Sequence, residues 1–529
     1  MLAVIVILLP AGMWDLRGPD EGRYTQIAHE LLGRGNWFIL TVFQHPYDQK
    51  PPLAFWLMAL AIELSGGIHS WALRTPSVLA GIGMLVTTYF VGRRFGGPRA
   101  GYLSGIFLLS SLSFLDDSAV VELNMFYGFF ITASLAVWLL KFGQRLSWSR
   151  ALLMWVLLAC AFLVKGPLAL LIVISGLAGT AISQRSFLPF LQTRAIPGLL
   201  LVGCVAAGWL YTQGHAWGSG FVQNQVSSQT VTRFLHGDHT QPFYYYFPRI
   251  FTAILGPWGL VLIAAAIAAW RNRGKNPEGT GALVGWLAFP FLVFVIAHGK
   301  RVPYLVPLLS PACLLAGIWA SRTLAERRVS RTWFWLIAGV TALVAIALIT
   351  FGLVTAWPGG PLARPDFRGI LNISRLWWPL WLLAGVFLGF LGFSWWKSSR
   401  TWMEAFWAVA LCILVVQFMD FTTVRPALDP GKSTRHFSDV VTKFLADKHQ
   451  DTVLTFLDLS EPEYHVYGTY KTKSFREKKA DLDDPALPDV LALKGSEIKS
   501  IGPAAIKAGY QPAMALQVTK RPVQIYVRN

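Results

Sequence analysis

Residues 18–53 read GPDEGRYTQIAHELLGRGNWFILTVFQHPYDQKPPL, and the rest of the chain is organised around them. An acidic pair, Asp20 and Glu21, opens the stretch. Tyr24, Ile27, Ala28, Leu31 and Leu32 then fall at helical spacing, and Gly33 and Gly35 break the run. Gln49-Lys50-Pro51-Pro52 follows and leads into another apolar segment. Taken alone, this is a capped amphipathic helix and a solvated loop. Its surroundings change the reading, because it lies between hydrophobic runs and places carboxylates and a cation at their edge.

The chain has 529 residues, of which 54% are hydrophobic and 14% charged. Soluble domains carry about 25% charged residues. Long apolar runs recur throughout, so the expected class is an all-α polytopic membrane protein. The net charge of +18 is then explained by Lys and Arg in short cytoplasmic loops rather than by nucleic acid, which is not expected as a partner. Cys160, Cys204, Cys313 and Cys412 all lie in apolar runs, so neither a disulfide nor a thiolate metal site is expected. Residues 1–12 are apolar, but no small-residue cleavage site follows. Twelve residues is short for a span, which leaves a start upstream of Met1 open.

Candidate spans run 1–12, 77–92, 100–114, 119–140, 151–164, 167–184, 196–212, 247–270, 281–297, 304–321, 333–354, 377–396 and 402–420. Basic clusters at Arg93, Arg94 and Arg99, at Lys141, Arg145 and Arg150, and at Arg322, Arg327, Arg328 and Arg331 alternate with loops poor in Lys and Arg. The basic loops are therefore placed inside. Asp20 falls outside only if 51–66 does not cross, so that segment is expected as an interfacial or re-entrant helix. About thirteen spans result. The domain reading is a transmembrane domain, 1–425, whose outer loop 13–76 carries interfacial helices, and an outer α/β domain, 426–529. In the latter a helix is expected at 436–449 and strands at 453–457, 513–518 and 523–527, with Pro522 in a turn or at the start of the last strand.

This topology gathers polar residues at outer span ends: Asp20 and Glu21, Lys50, Asp116, Asp117, Glu122 and Asn124, Lys165, Arg233, and His298, Lys300, Arg301 and Tyr304. An ionisable group at membrane depth costs roughly 2.5–3.5 kcal/mol, and Lys165 has almost no loop to escape into, so it needs a partner. Cations beside carboxylates at this depth suit a lipid phosphate or pyrophosphate. If the phosphate leaves, the cations stabilise the developing charge. A carboxylate can take a proton from an attacking hydroxyl or steady an oxocarbenium-like sugar carbon. Most of the 23 Trp are read as interfacial belts.

At these residues the chain resembles a known family. Asp20-Glu21 with Tyr24, Gly35-Asn36-Trp37 and Lys50-Pro51-Pro52 is similar to the first outer loop of polyprenyl-phosphate-sugar glycosyltransferases. The likeness is closest to the bacterial aminoarabinose transferases of lipid A, and the protein O-mannosyltransferases are more distant. Lys165-Gly166-Pro167, Arg233-Phe234, Gln241-Pro242 with Tyr244, Tyr245 and Tyr246, Pro257-Trp258, and Lys300-Arg301 with Tyr304 and Pro307 extend it over roughly residues 10–320. The resemblance implies a GT-C fold in the bacterial inner membrane with a periplasmic C-terminal domain. It also implies a polyprenyl-phosphate-linked sugar donor and a lipid or protein acceptor. It maps the family's acidic residue to Asp20, with Glu21 its neighbour or substitute, its phosphate-binding lysine to Lys50 and its loop arginine to Arg233. Tyr24, Glu122, Asn124, Lys165, Lys300, Arg301 and Tyr304 complete the expected substrate site.

Three positions depart from the family pattern. Gln49 stands where Glu is frequent before Lys-Pro-Pro, and Gln229-Thr230 where Glu-His precedes the loop arginine. Asn124 stands where Asp is favoured, with Glu122 able to compensate. A carrier or flippase for lipid-linked sugars is the alternative from another class, but it would place charges near the bilayer midplane. No cofactor is expected, and no metal site, since Gln and Thr are poor ligands in place of carboxylate and imidazole. Transfer should therefore persist in EDTA. Loss of transfer in EDTA that one divalent metal restores would refute this.

Overall fold

The structure, a computed structural model, describes residues 8–43, 45–227, 240–271, 279–324, 327–356, 379, 381–390, 392, 401–427, 435–448, 454–456, 472–474, 490–494, 498–499, 501–518 and 521–528. It is mainly helical, with one small mixed sheet near the C-terminus. The chain falls into two compact units. One holds Met1–Ala11, Asp48–Ala54 and Arg74–Asp420, and the other Gly12–Tyr47, Phe55–Leu73 and Phe421–Asn529.

The first seven α-helices run to residue 184. They are α1 (Gly18–Arg34), α2 (Leu53–Ser65), α3 (Ser70–Leu109), α4 (Leu112–Ser118), α5 (Leu123–Leu139), α6 (Trp148–Lys165) and α7 (Leu168–Gln184). Helix α1 is the expected amphipathic segment: Tyr24, Ile27, Ala28 and Leu31 are all buried. It stops at Gly35, whose left-handed backbone (φ 65°) lets its N–H close onto the Leu31 and Leu32 carbonyls. At 13 residues, α2 is short for a span.

The spans expected at 77–92 and 100–114 form one 40-residue helix, α3, folded at Gly97 (φ 80°, ψ −178°), with Pro98 next. A Cβ on Gly101 would meet the Tyr89 carbonyl oxygen at 2.8 Å, so the two legs pack directly on each other. The span expected at 119–140 corresponds to α5, and the short α4 before it meets α5 at 113°. Six helices among the described residues are long and apolar enough to cross a membrane, and the α4–α5 pair would make a seventh. Within the expected span 377–396 the described residues form the apolar helix Trp381–Phe390, too short by itself to cross.

Lipid offers no hydrophobic drive between helices, so close approach and buried hydrogen bonds hold the bundle. Thr88 Oγ1 lies 2.9 Å from Ser310 Oγ, and Thr132 Oγ1 donates to the same oxygen at 3.2 Å, joining α3, α5 and the helix Val306–Thr323. Helix α7 presents Ser175, Gly179 and Ser183 at four-residue spacing to Gly281 and Gly285 of the helix Thr280–Ile296. A Cβ on Gly285 would sit 2.4 Å from the Ser175 carbonyl oxygen and 2.7 Å from the Gly179 Cα.

In the second unit, a two-stranded hairpin, β1 (Thr41–Val42) and β2 (His45–Pro46), follows α1. The C-terminal sheet comprises β3 (Leu454–Phe456), β4 (Thr472–Ser474), β5 (Val490–Lys494), β6 (Tyr510–Val518) and β7 (Arg521–Arg528), in the order β4-β3-β5-β7-β6. Alternation along β5 and β7 makes two cores. Val490, Ala492, Val523, Ile525 and Val527 pack with Val441 of the helix Arg435–Lys448. Leu491, Leu493, Tyr510 and Tyr526 pack with Ala505 of the helix Gly502–Lys507. Pro522 pairs with Gln517 near the start of β7, where a missing donor costs least.

The glycine contact generates a prediction. Gly285→Val forces a side chain into backbone that cannot give way, which should destabilise the bundle by at least about 1–3 kcal/mol. Gly203→Val, which meets nothing within 4 Å, should be neutral. Thermal unfolding of both variants in detergent checks the pair.

Candidate functional site

In the membrane-spanning unit, four expected residues come together where α4, α5, α6 and the turn Val302–Leu305 meet. Lys165 is the last residue of α6. Gly166 follows with φ 91°, a conformation suited to glycine, and turns the chain into Pro167 and α7. The Lys165 ammonium donates to Asn124 Oδ1 and lies 4.8 Å from the centre of the Tyr304 ring and 5.9 Å from that of Tyr127. Asn124 sits in the first turn of α5 and donates to Glu122 Oε2 at 3.0 Å. The apolar end of α6 thus delivers a cation, and the bend between α4 and α5 delivers its polar partners.

Asp117 joins the same network. Its Oδ1 accepts from Asn124 Nδ2 at 3.3 Å and its Oδ2 from Ser113 Oγ at 3.0 Å, and it is only 4% exposed. Sequence reasoning placed Asp117 in the outer turn but left it out of the site. The available signal was its spacing, one helical turn after Ser113 on a helix that bends back toward Asn124.

Lys300, expected among the cations, donates to the backbone carbonyls of Gln241, at 3.0 Å, and of Ala297. Thr240 and Gly299 form an antiparallel bridge beside it, so Lys300 fastens two loop segments. Burial pushes its ammonium pKa down. The Arg301 carbonyl oxygen accepts from Tyr304 N at 3.1 Å and Tyr246 Oη at 3.2 Å, which fixes the turn that carries the Tyr304 ring. Lys50 is half-buried beside buried Pro51 and Pro52. Two residues earlier, the Asp48 carbonyl oxygen accepts from Gln225 Nε2 at 3.0 Å. Gln225 belongs to the helix Ser219–Val226, which leads toward the loop of Arg233, itself outside the described residues.

In the other unit, the acidic pair divides. Glu21 is 5% exposed and accepts the Arg17 backbone N–H at 2.7 Å, satisfying a donor at the start of α1. Asp20 stays partly exposed and lies 3.6 Å from Arg23, one turn along. Tyr24 is buried, its ring edge-on to Phe55 at 5.7 Å. Glu30 accepts from Thr41 Oγ1 and Phe43 N, each at 2.6 Å, and so ties the hairpin to α1. The Arg17 guanidinium donates to the Arg425 carbonyl oxygen, and the Arg425 side chain lies over Phe421 and Trp14.

A family model described as dolichyl-phosphate-mannose-protein mannosyltransferase matches residues 49–211. Among curated relatives, the undecaprenyl phosphate-alpha-4-amino-4-deoxy-L-arabinose arabinosyl transferase of Pectobacterium carotovorum is 28% identical over 83% of this chain and 77% of its own length. That of Pectobacterium atrosepticum is 28% identical over 67% of this chain and 65% of its own length. Among solved structures, ArnT from Cupriavidus metallidurans bound to undecaprenyl phosphate superposes with a TM-score of 0.78 at 17% identity, over 99% of this chain and 96% of that one. The chain is thus similar to the aminoarabinose transferases and, over residues 49–211, to the protein mannosyltransferases.

These likenesses, with the apolar helices, support a multi-pass membrane glycosyltransferase of GT-C fold. The departure at Asn124 gains a physical account here: the amide bridges Lys165 to two carboxylates, Asp117 and Glu122.

The geometry separates the two carboxylates of the first loop. Glu21→Ala should lower stability by about 1–3 kcal/mol by leaving a buried N–H unsatisfied, measured as thermal unfolding in detergent. Full loss of transfer at unchanged stability would instead make Glu21 the reacting carboxylate.

Proposed function

We propose that the protein takes a sugar from an undecaprenyl-phosphate-linked donor and passes it to a lipid acceptor of the lipid A kind, on the periplasmic side of the bacterial inner membrane. The observation that carries the reading is the Lys165 constellation: an ammonium at the end of an apolar helix, hydrogen-bonded to Asn124 of α5, which Asp117 of α4 holds in turn, and backed by a tyrosine ring. Such a site supplies charge at the depth of a lipid phosphate. The kinship with transferases whose names specify an undecaprenyl-phosphate sugar supports that donor.

In the proposed reaction an acceptor oxygen attacks the anomeric carbon. The bond from that carbon to the donor phosphate oxygen breaks, and polyprenyl phosphate leaves with the electron pair. Lys50, Arg233, Lys165 and Arg301 hold the phosphate, and Lys300 secures the loop beside them. Asp20 receives the proton when the acceptor is a hydroxyl, or steadies positive charge on the sugar. A phosphate acceptor is already anionic and needs no base. In this reading residues 1–425 form the catalytic membrane domain, with loop 13–76 and domain 426–529 in the periplasm. The mannosyltransferase family match over residues 49–211 favours a protein hydroxyl as the second acceptor class.

The roles separate kinetically. The donor phosphate is charged before any bond breaks, so its cations act on binding, whereas a carboxylate gains most in the transition state. Asp20→Asn should cut single-turnover transfer by about 10²–10⁴-fold with donor affinity nearly unchanged. Lys50→Ala should weaken donor binding by about tenfold or more. Near-normal turnover in Asp20→Asn with a phosphate-bearing acceptor, and loss with a hydroxyl acceptor, would assign Asp20 to proton transfer. Near-normal turnover with both would remove it from the mechanism.

A further inference from the structure

Asn124 is engaged on every side of its amide. Its Nδ2 donates to Asp117 Oδ1 at 3.3 Å and to Glu122 Oε2 at 3.0 Å, and its Oδ1 accepts from the Lys165 ammonium. Turning the amide over would set N–H groups against the ammonium and an oxygen against two carboxylates. Only one orientation is compatible with these partners. Asp117 is pinned in turn by Ser113 at 3.0 Å, within a single turn of α4, and Asn124 is itself only 4% exposed. The fixed point of the chain Ser113–Asp117–Asn124–Lys165 is therefore α4, and its end is the ammonium 4.8 Å from the Tyr304 ring centre.

We propose that Asp117 is a positioning residue for the lipid-phosphate site: it holds the Asn124 amide so that its oxygen faces Lys165, and thereby presents the ammonium to the anionic donor. This rests on the donor reading given above. Charge explains why an amide stands at 124. A carboxylate there would crowd three acids around one ammonium, and like charges at hydrogen-bond distance disfavour ionisation of the set. The amide instead donates to two acids and passes their polarisation to Lys165 through one carbonyl oxygen.

The same logic names a variant that keeps the hydrogen bonds. In Asp117→Asn the amide oxygen would still accept from Asn124 Nδ2, and the amide nitrogen would donate to Ser113 Oγ, whose hydroxyl can accept as well as donate. The side-chain volume is kept, and no new carboxylate faces Glu122.

The experiment measures the affinity of the detergent-purified full-length protein for undecaprenyl phosphate, alongside single-turnover transfer and thermal unfolding. Asp117→Ala should weaken undecaprenyl phosphate binding by about tenfold, the scale of one charge-assisted hydrogen bond. Asp117→Asn, which keeps the bond to Asn124, should bind within about threefold of wild type. A residue that merely supports the fold would move the unfolding temperature without this recovery of affinity. Asp117→Ala protein that binds as wild type does overturns the role. If Asp117→Ala does not fold, Asp117→Asn decides, and its failure to bind undecaprenyl phosphate as wild type does overturns the role. Wild-type protein that does not bind undecaprenyl phosphate overturns the donor reading first and the role of Asp117 with it.

Discussion

An ammonium at the end of an apolar helix cannot be left to hydrocarbon, and the membrane-spanning unit of this protein is built around meeting that demand at Lys165. The partner cannot come from α6 itself, whose preceding residues are apolar. It comes from the bend between α4 and α5, which turns through 113° and brings Asp117, Glu122 and Asn124 to one place. The Tyr304 ring arrives from the far side of the chain, on a turn fixed by the Arg301 carbonyl oxygen. A single electrostatic requirement thus ties four separate segments together. It leaves a cation at the end of an apolar helix, beside carboxylates and a tyrosine ring.

The helices that carry these groups are held by size and backbone approach rather than by hydrophobicity, which lipid does not reward. Gly179, Gly281 and Gly285 let two backbones touch, and Gly97 with Pro98 folds α3 onto itself. Such contacts are stiff, because no flexible side chain lies between the two main chains. A site whose ammonium is placed through an amide and two carboxylates needs that stiffness, since hydrogen-bond geometry decays within a few tenths of an ångström.

In the other unit the start of α1 shows how one acidic pair can serve two ends. Glu21 turns inward and satisfies a backbone donor, while Asp20 remains partly open beside Arg23. Helix starts favour both acids through the dipole, so neither residue type alone distinguishes support from chemistry. Burial and partner do.

By itself the sequence determined the membrane class, the amphipathic α1 with its buried Tyr24, Ile27, Ala28 and Leu31, and the polar residues at the helix ends. Periodicity and charge depend only on residue order, and a charge in an apolar run is costly wherever the chain goes. It also carried the resemblance to the aminoarabinose transferases, through short motifs such as Lys50-Pro51-Pro52 and Lys165-Gly166-Pro167. Tertiary structure alone decided the fold of α3 at Gly97, the strands β4 and β5, and the opposite fates of Glu21 and Asp20. It alone showed that Lys300 holds loop carbonyls and that Asp117 completes the network on Asn124. Strand β5 (Val490–Lys494) is a short apolar run that a helix could equally use, until pairing with β3 and β7 makes it central. Asp117 and Lys165 lie 48 positions apart, and no local rule joins them. Their link is a hydrogen-bonded amide between helices, which exists only when the bundle has closed.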